Sequence, residues 1–217
     1  MLDAAVLVIS ERGLADTRIA DIAERAGASP ALVIYHFQTR DRVLGQALTW
    51  SEDRFYERAE RELASIERPT DQLVRLIELS CSRGQGEGGL DHWGLWLDMW
   101  ARAPHDPDVA RDRRALDARW RATIAEIVHR GQKAGEFELV EADDFALRLA
   151  ALMDGLAIQV VLGDPDVPAA RMREVCIRTA AEALGFARGG TDRPARRPGA
   201  RAPAAARGDE TRKGRAG

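Results

Sequence analysis

The strongest constraint on the fold is a short turn between two helical segments near the N-terminus. Gly27 follows the first segment, and Ser29 and Pro30 open the second. Glycine takes the positive φ of a helix C-terminus at the least cost, a serine hydroxyl caps the following helix, and proline suits the first helical position. Because two helices joined by such a turn are typical of a helix-turn-helix, we predict this motif at residues 17–40.

The remainder of the chain also has helical periodicity, and it contains no run of alternating apolar and polar residues that would indicate a strand. We therefore predict an all-α fold of about nine helices. The predicted helices are 2–12, 18–26, 30–37, 40–66, 71–83, 90–103, 108–134, 142–162 and 168–186.

Composition divides these helices into two domains and a tail. A shift near residue 45 predicts a small N-terminal domain at 1–46, whose last helix continues into a larger domain at 47–186. Residues 187–217 carry nine basic and three acidic side chains, so this tail has a net charge of +6 and the body, within a total of −3, has −9. Since the tail is rich in Pro, Gly and Ala, we expect it to be disordered, as a compositional by-product or as a weak, non-specific contact for nucleic acid.

The sequence lacks the signatures of several other classes of protein. Two cysteines outside any CxxC pattern indicate a reducing compartment and no structural zinc. Neither a signal peptide nor an apolar stretch long enough to span a bilayer is found, so we expect a cytoplasmic protein without membrane contact. The four histidines are scattered, and no HExxH, GxSxG or phosphate-binding loop is present. We predict no catalytic residue, no metal site and no cofactor, and hence no enzyme.

The third predicted helix, 30–37, contains no Lys or Arg. Leu32 or Val33, together with Phe37, is expected to pack inward at helical spacing. The residues predicted to face outward, where they can touch thymine methyls in a major groove, are Pro30, Ala31 and Ile34. The residues predicted to reach phosphate groups, directly or from the starts of helices, are Thr17, Ser29, Tyr35, His36, Thr39 and Arg40.

Residues 2–48 resemble the DNA-binding domain of the tetracycline-repressor (TetR) family. The resemblance is carried by Thr17-x-Ile19-Ala20-x-Ile22-Ala23-x-x-Ala26-Gly27-x-Ser29 and by Tyr35-His36-Phe37-x-Thr39-Arg40-x-x-Val43-Leu44. Where the family usually has a basic residue, Gly and Thr, this chain has Pro30, Ala31 and Leu32, and Ile34 occupies a position that is often Tyr. These differences bear on the operator sequence and not on the fold.

A further difference from the family concerns the first helix. In the family this helix usually begins several residues earlier and carries basic side chains that reach phosphate, whereas here Met1 falls within it. Two interpretations are open, namely a start codon further upstream or a variant with weakened affinity for DNA.

The sixth predicted helix carries an aromatic stripe. Trp93, Trp96 and Trp100 are spaced i, i+3, i+7 and therefore share one face. Such a stripe is either part of the core or, as the resemblance implies, the wall of a small-molecule pocket. The pocket residues predicted on the second interpretation are His92, Trp93, Trp96, Trp100, Met153 and Gln159.

The eighth predicted helix is apolar on nearly all sides, so it needs two packing partners. One is its own subunit. The other is a second copy of the chain, for which Gly155 and Ala157 allow close approach, or else the intramolecular core. The interface residues predicted by analogy with the family's dimerising four-helix arrangement are Phe145, Leu149, Leu152, Leu156, Val160, Met172, Cys176, Thr179 and Ala183.

The resemblance implies a homodimeric transcriptional regulator, namely a ligand-responsive repressor that binds a pseudo-palindromic DNA operator and a small-molecule effector. The alternative is a helical dimer that binds small molecules and has lost DNA binding. An affinity for DNA that falls as salt is added separates the two hypotheses.

Overall fold

The computed structural model describes residues 1–82 and 92–187, and within these ranges the chain forms nine α-helices and no strand. The helices are α1 (Leu2–Asp16), α2 (Ile19–Ala26), α3 (Pro30–Phe37), α4 (Arg40–Ala64), α5 (Pro69–Cys81), α6 (His92–Arg102), α7 (Pro107–Ala134), α8 (Ala142–Val161) and α9 (Ala169–Leu184). The predicted all-α fold is confirmed, and the helix ends lie within a few residues of their predicted positions. Almost all of the predicted disordered tail, residues 188–217, lies outside the described residues.

The first three helices enclose a small apolar core. Gly27 ends α2 with a φ of 62°, and the Ser29 hydroxyl accepts a hydrogen bond from the backbone N–H of Leu32 at 3.2 Å. Pro30 is the first residue of α3. The predicted turn is therefore confirmed in its backbone and its cap. The buried side chains that hold the three helices together are Ala5, Val8, Ile9, Ile22, Val33 and Phe37.

The long helix α4 connects this N-terminal unit to the remaining helices. It begins three residues after α3, packs against α1 and α3 at one end, and contacts α5, α6 and α7 further along. Leu48, Glu52 and Tyr56 follow at spacings of four residues and are all buried, so they form the inward face of the helix. The N-terminal unit is therefore joined to the larger body through α4 and also through a direct contact between α1 and α6.

Helices α5 to α9 form the larger body, and hydrogen bonds at their ends fix its connections. Asp106 caps α7 by accepting from the backbone N–H groups of Asp108 and Val109, and Gly135 ends α7 with a φ of 72°. The Glu136 carboxylate, just beyond α7, accepts from both the backbone N–H and the hydroxyl of Thr70. It therefore caps the start of α5 and ties the two helices together.

Gly131 in α7 lies against an aromatic ring, which makes it a sensitive point of the core. A Cβ atom at this position would lie 2.0 Å from Cδ2 of Phe137, a buried ring that contacts Phe186. We expect Gly131→Ala to lower the free energy of unfolding by about 3 kcal/mol, because neither the helix nor the ring can move away freely. Denaturant titration of the purified protein measures this loss.

The matched control is Gly45→Ala in α4, where the nearest neighbouring atom to the new Cβ, an Asp112 carboxylate oxygen, lies 3.4 Å away. This substitution removes the helix-weakening effect of glycine without a clash, so the stability should rise by up to about 1 kcal/mol. Equal stabilities for the two variants would show that the contact between Gly131 and Phe137 is not as tight as described.

The structure corrects part of the predicted dimer interface. Phe145, Leu149, Met172 and Cys176 are at most 2% exposed within a single chain, so they belong to the core of the subunit and cannot meet a second copy. Phe145 and Leu149 lie on α8, which is apolar on both sides, and Met172 and Cys176 lie on the apolar seam of α9. The sequence does not show which side of either helix faces inward. The predicted interface residues that keep some exposure are Leu152, Leu156, Val160, Thr179 and Ala183.

The face of α8 opposite the buried Phe145 and Leu149 is exposed in the single chain. Leu147 is 51% exposed, Ala151 and Gly155 are also exposed, and a Cβ at Gly155 would meet no atom within 4 Å. Ile158 is partly exposed one turn further on. An apolar stripe therefore runs along this helix without a partner in the single chain.

Among the helices of the described ranges, none is long and apolar enough to cross a membrane.

Candidate DNA-binding surface and ligand cavity

Helix α3 presents an uncharged surface to solvent. Val33 and Phe37 are buried, whereas Leu32 is 42%, Ile34 52% and Tyr35 79% exposed. Of the two residues considered for the inward position, Val33 takes it and Leu32 does not. The structure thus adds Leu32 to the predicted outward-facing residues Pro30, Ala31 and Ile34, all of which are exposed. Tyr35 and His36, which were predicted to reach phosphate groups, are exposed as well.

Two of the predicted phosphate-binding residues cap helices. The Ser29 hydroxyl oxygen caps α3, and the Thr39 hydroxyl oxygen caps α4 by accepting from the backbone N–H of Arg42 at 3.2 Å. Both side chains are exposed, so each hydroxyl hydrogen remains accessible from solvent. Arg40 is exposed beside Thr39. The turn between α3 and α4 therefore brings hydroxyl and guanidinium groups to the same end of α3.

Thr17 does not occupy its predicted place at the start of α2. Its side chain is 2% exposed and donates a hydrogen bond to the backbone carbonyl of Gly13 at 2.7 Å. Arg18 caps α2 instead, and its backbone N–H donates to the Asp21 carboxylate at 3.0 Å. The predicted place of Thr17 at the start of α2 is therefore wrong, because its hydroxyl is held by the carbonyl of Gly13, where the backbone is not helical. A phosphate contact from the backbone at this helix start stays a prediction.

A polar recess of about 740 Å³ lies between the end of α1, the start of α2 and the start of α4. Arg12, Arg18 and Arg40 line it together with Asp16 and Asp21, and Arg12 forms an ion pair of 2.9 Å with Asp21. Three guanidinium groups against two carboxylates give the recess a net positive charge. Arg40 follows the C-terminal end of the uncharged helix α3 by three residues, so the charge of the recess comes from elements other than α3. Such a division is expected if phosphates and base edges are contacted by different elements.

A second cavity, of about 190 Å³, lies in the larger body where five helices meet. We call it the α4–α8 cavity. Its walls come from α4, α5, α6, α7 and α8. The lining residues are Glu52, Ser80, Trp93, Trp96, Arg113, Asp117, Trp120, Arg121, Leu147, Ala150, Ala151, Met153 and Asp154.

Three of the predicted pocket residues, Trp93, Trp96 and Met153, line this cavity together. Trp100 does not line it, because its ring packs behind that of Trp96 at a centroid distance of 5.7 Å. Gln159 does not line it either and is exposed on α8. Both residues therefore lie outside this cavity, and a role for them in ligand binding stays a prediction. His92 was also predicted to line the pocket, but its side chain lies outside the described part of the chain.

The cavity combines aromatic rings with carboxylates. The Trp96 indole N–H donates to the Glu52 carboxylate at 2.9 Å, although Glu52 is only 2% exposed. Burial raises the pKa of Asp117 above the ordinary range of an aspartate, while Arg113 and Arg121 oppose the shift. Arg113 forms an ion pair with Asp117, so this carboxylate already has a cationic partner in the cavity.

Glu52 and Trp120 line the cavity but were not predicted, although the sequence contains a signal for each of them. Glu52 occupies a buried position between Leu48 and Tyr56, and a charged residue on the apolar face of a helix indicates a specific partner. Trp120 follows Leu116 and precedes Ile124 on the inward face of the otherwise charged helix α7.

Within the described ranges, no group of three or more His, Cys, Asp or Glu side chains could hold a metal ion.

A capped helix-turn-helix with an exposed second helix, joined through α4 to a body whose cavity reaches the exposed Leu147 and Ala151 of α8, is the architecture of a DNA-binding regulator. Comparison with family models agrees. Residues 1–47 match the model described as bacterial regulatory proteins of the tetR family, and residues 69–185 match the BetI-type transcriptional repressor C-terminal domain. The chain belongs to the TetR family, and the predicted class, a ligand-responsive DNA-binding transcriptional regulator, is confirmed.

Individual relatives lead to the same family. The HTH-type transcriptional regulator BetI 1 of Chromohalobacter salexigens is 29% identical over 178 residues, which cover 81% of this chain and 84% of that protein. The regulator BetI of Stenotrophomonas maltophilia is 30% identical over 157 residues, covering 72% and 76%. A transcriptional regulator from Saccharomonospora viridis, solved in complex with choline, is 35% identical, with a TM-score of 0.74 and coverage of 83% and 93%.

Proposed function

We propose that this protein is a homodimeric repressor that binds a pseudo-palindromic operator through α3 and releases it when a small quaternary ammonium compound, such as choline, enters the α4–α8 cavity. The observation that carries the proposal is the composition of the cavity, in which three tryptophans and three carboxylates surround a space of about 190 Å³. The choline complex of the Saccharomonospora viridis regulator supports the choice of ligand.

The cavity suits a quaternary ammonium ion for chemical reasons. Such an ion has no N–H group to donate, so it is recognised by aromatic faces and by nearby negative charge. Trp93, Trp96 and Trp120 supply the rings. The lining also has three carboxylates against the two guanidinium groups of Arg113 and Arg121, so one carboxylate is in formal excess although Arg113 pairs with Asp117. The cavity is also smaller than the roughly 300–1,000 Å³ typical of pockets for drug-sized ligands, which favours a compact ligand over a long acyl chain.

Helix α4 offers the route from the cavity to DNA. Glu52 lies twelve residues after Arg40, the first residue of α4, which corresponds to about 18 Å along the helix. A cation beside Glu52 competes with the Trp96 indole for the carboxylate and so favours a different position of α4 relative to α6. An effector shifts an equilibrium only by the difference between its affinities for the two states. The ligand therefore releases DNA only if it binds more weakly to the operator-bound protein than to the free protein.

Arg40 provides a test of the DNA-binding surface that does not depend on the operator sequence. We expect Arg40→Ala to weaken binding to specific and non-specific DNA by a similar factor. It should also reduce the slope of log affinity against log salt by roughly one for each phosphate that the protein no longer neutralises. Fluorescence anisotropy at several salt concentrations measures both quantities.

The control is Arg130→Ala, because Arg130 is an exposed arginine of α7 whose hydrogen bonds go to Glu126 and Gln72 in the larger body. This variant should keep the affinity and the salt slope of the parent. If Arg40→Ala also kept both, the surface around the α3–α4 turn would not face the DNA backbone.

The function as a whole is tested by selecting fragments of the source genome on the purified protein and titrating the recovered fragments against salt. The proposal expects an inverted repeat whose two halves lie about one helical turn apart, or a multiple of it, with affinity that falls steeply as salt rises. Recovery of no enriched sequence would instead favour the alternative of a small-molecule-binding dimer that has lost DNA binding.

A further inference from the structure

The outward face of α3 is defined by the residues that are buried on its other side. Successive residues of a helix are rotated by about 100°, so the direction opposite Val33 and Phe37 is occupied by Ala31, Leu32 and Tyr35. Tyr35, at the centre of this face, is the most exposed of the large side chains of the helix at 79%, and Leu32 and Ile34 on either side of it are 42% and 52% exposed. The N-terminal half of this face, which reaches base edges in a helix-turn-helix, is therefore made of Ala31 and Leu32.

These two side chains cannot read bases by hydrogen bonding. Guanine is usually read by Arg or Lys, adenine by Asn or Gln, and cytosine by an acidic side chain, and α3 contains none of these residue types. The next amide along the chain, Gln38, lies beyond the C-terminal end of α3 and accepts a hydrogen bond from the guanidinium of Arg42. Of the groups in the major groove, the thymine methyl is the one that an apolar side chain recognises.

We propose that Leu32 is a specificity-determining residue that packs on a thymine methyl group in each operator half-site, and that Ala31 lets the backbone of α3 approach closely enough for this contact. Sequence preference at the centre of the half-site then comes from methyl contact rather than from hydrogen bonds. The proposal rests on the proposed function, because it assumes that α3 enters the major groove.

The chemical test replaces single thymines of the selected operator by uracil, which deletes only the methyl group. At one or two positions in each half-site, we expect the affinity of the parent protein to fall roughly threefold to fivefold, as for the loss of one buried methyl. With the Leu32→Ala protein, thymine and uracil should bind equally well at one of these positions. The Arg40→Ala protein, altered at a phosphate-contacting position, should retain the difference, and uracil in the flanking sequence should have no effect.

Two results would overturn the proposal. One is a selected operator in which uracil at every thymine of the half-site changes the affinity of the parent protein by less than about 1.5-fold, since each buried methyl should contribute more. The other is a thymine preference that survives unchanged in the Leu32→Ala protein. Both differ from failure of the proposed function, in which no operator is recovered at all. Leu32 is exposed, so Leu32→Ala should fold normally, and the uracil series on the parent protein needs no variant.

Discussion

Replacing Trp120 by Leu is expected to weaken choline binding by roughly thirtyfold, the loss that follows when a desolvated cation–π contact of about 2 kcal/mol is removed. Trp120 lines the α4–α8 cavity, is only partly buried, and packs edge-on against Phe55 at 6.1 Å. Leucine keeps an apolar wall in this place but has no ring face for the cation. Isothermal titration calorimetry of the two proteins with choline gives the ratio of affinities directly.

The same titrations with a neutral ligand isolate the contribution of charge. The carbon isostere of choline, in which a quaternary carbon replaces the nitrogen, has nearly the same shape but no positive charge. It should bind weakly to the parent protein and lose little further affinity in Trp120→Leu. The control variant is Trp50→Leu, because Trp50 lies outside the cavity and donates to Asp3 of α1. If Trp50→Leu lost as much choline affinity as Trp120→Leu, the cavity would not be the effector site.

The second large effect is expected at the uncovered face of α8. We expect Gly155→Arg to convert the protein into a folded monomer and to lower its operator affinity at least a hundredfold. A Cβ at Gly155 meets no atom of its own chain, so the substitution costs the subunit little, whereas a long charged side chain prevents two copies of α8 from approaching. Without the second copy, the two half-sites are no longer bound at the high effective concentration of a dimer.

Sedimentation velocity and operator titration measure the two consequences of Gly155→Arg, and choline binding shows whether the cavity remains intact. The matched control is Leu139→Arg, which places the same charge at a position that is 89% exposed between α7 and α8. This control should remain dimeric and bind the operator normally. A Gly155→Arg protein that is still dimeric would place the interface on another surface.

The fold was predictable from the sequence because its determinants are local. Gly27, Ser29 and Pro30 determine the turn of the DNA-binding unit, and each acts on the backbone within a few residues of its own position. The start of α2 was the exception. The sequence suggests Thr17 as a cap, but the non-helical backbone at Gly13 draws its hydroxyl inward and leaves Arg18 at the cap position.

The cavity and the interface were only partly predictable because they depend on contacts between distant segments. The tryptophan stripe of α6 indicated a wall, yet the sequence alone does not show that Glu52 of α4 and Trp120 of α7 complete it. Likewise α8 is apolar on two sides, and only packing against α7 and α9 decides that Phe145 faces inward while Leu147 faces outward. Periodicity gives the faces of a helix, whereas tertiary contacts decide which face is buried.

In a ligand-responsive repressor, effector binding and operator binding are coupled. The most direct measurement is the affinity for the selected operator with and without saturating choline, together with the affinity for choline with and without saturating operator. Choline should weaken operator binding by about 5- to 150-fold, and the operator should weaken choline binding by the same factor, as linkage requires. Equal operator affinities in the presence and absence of bound choline would contradict this coupling.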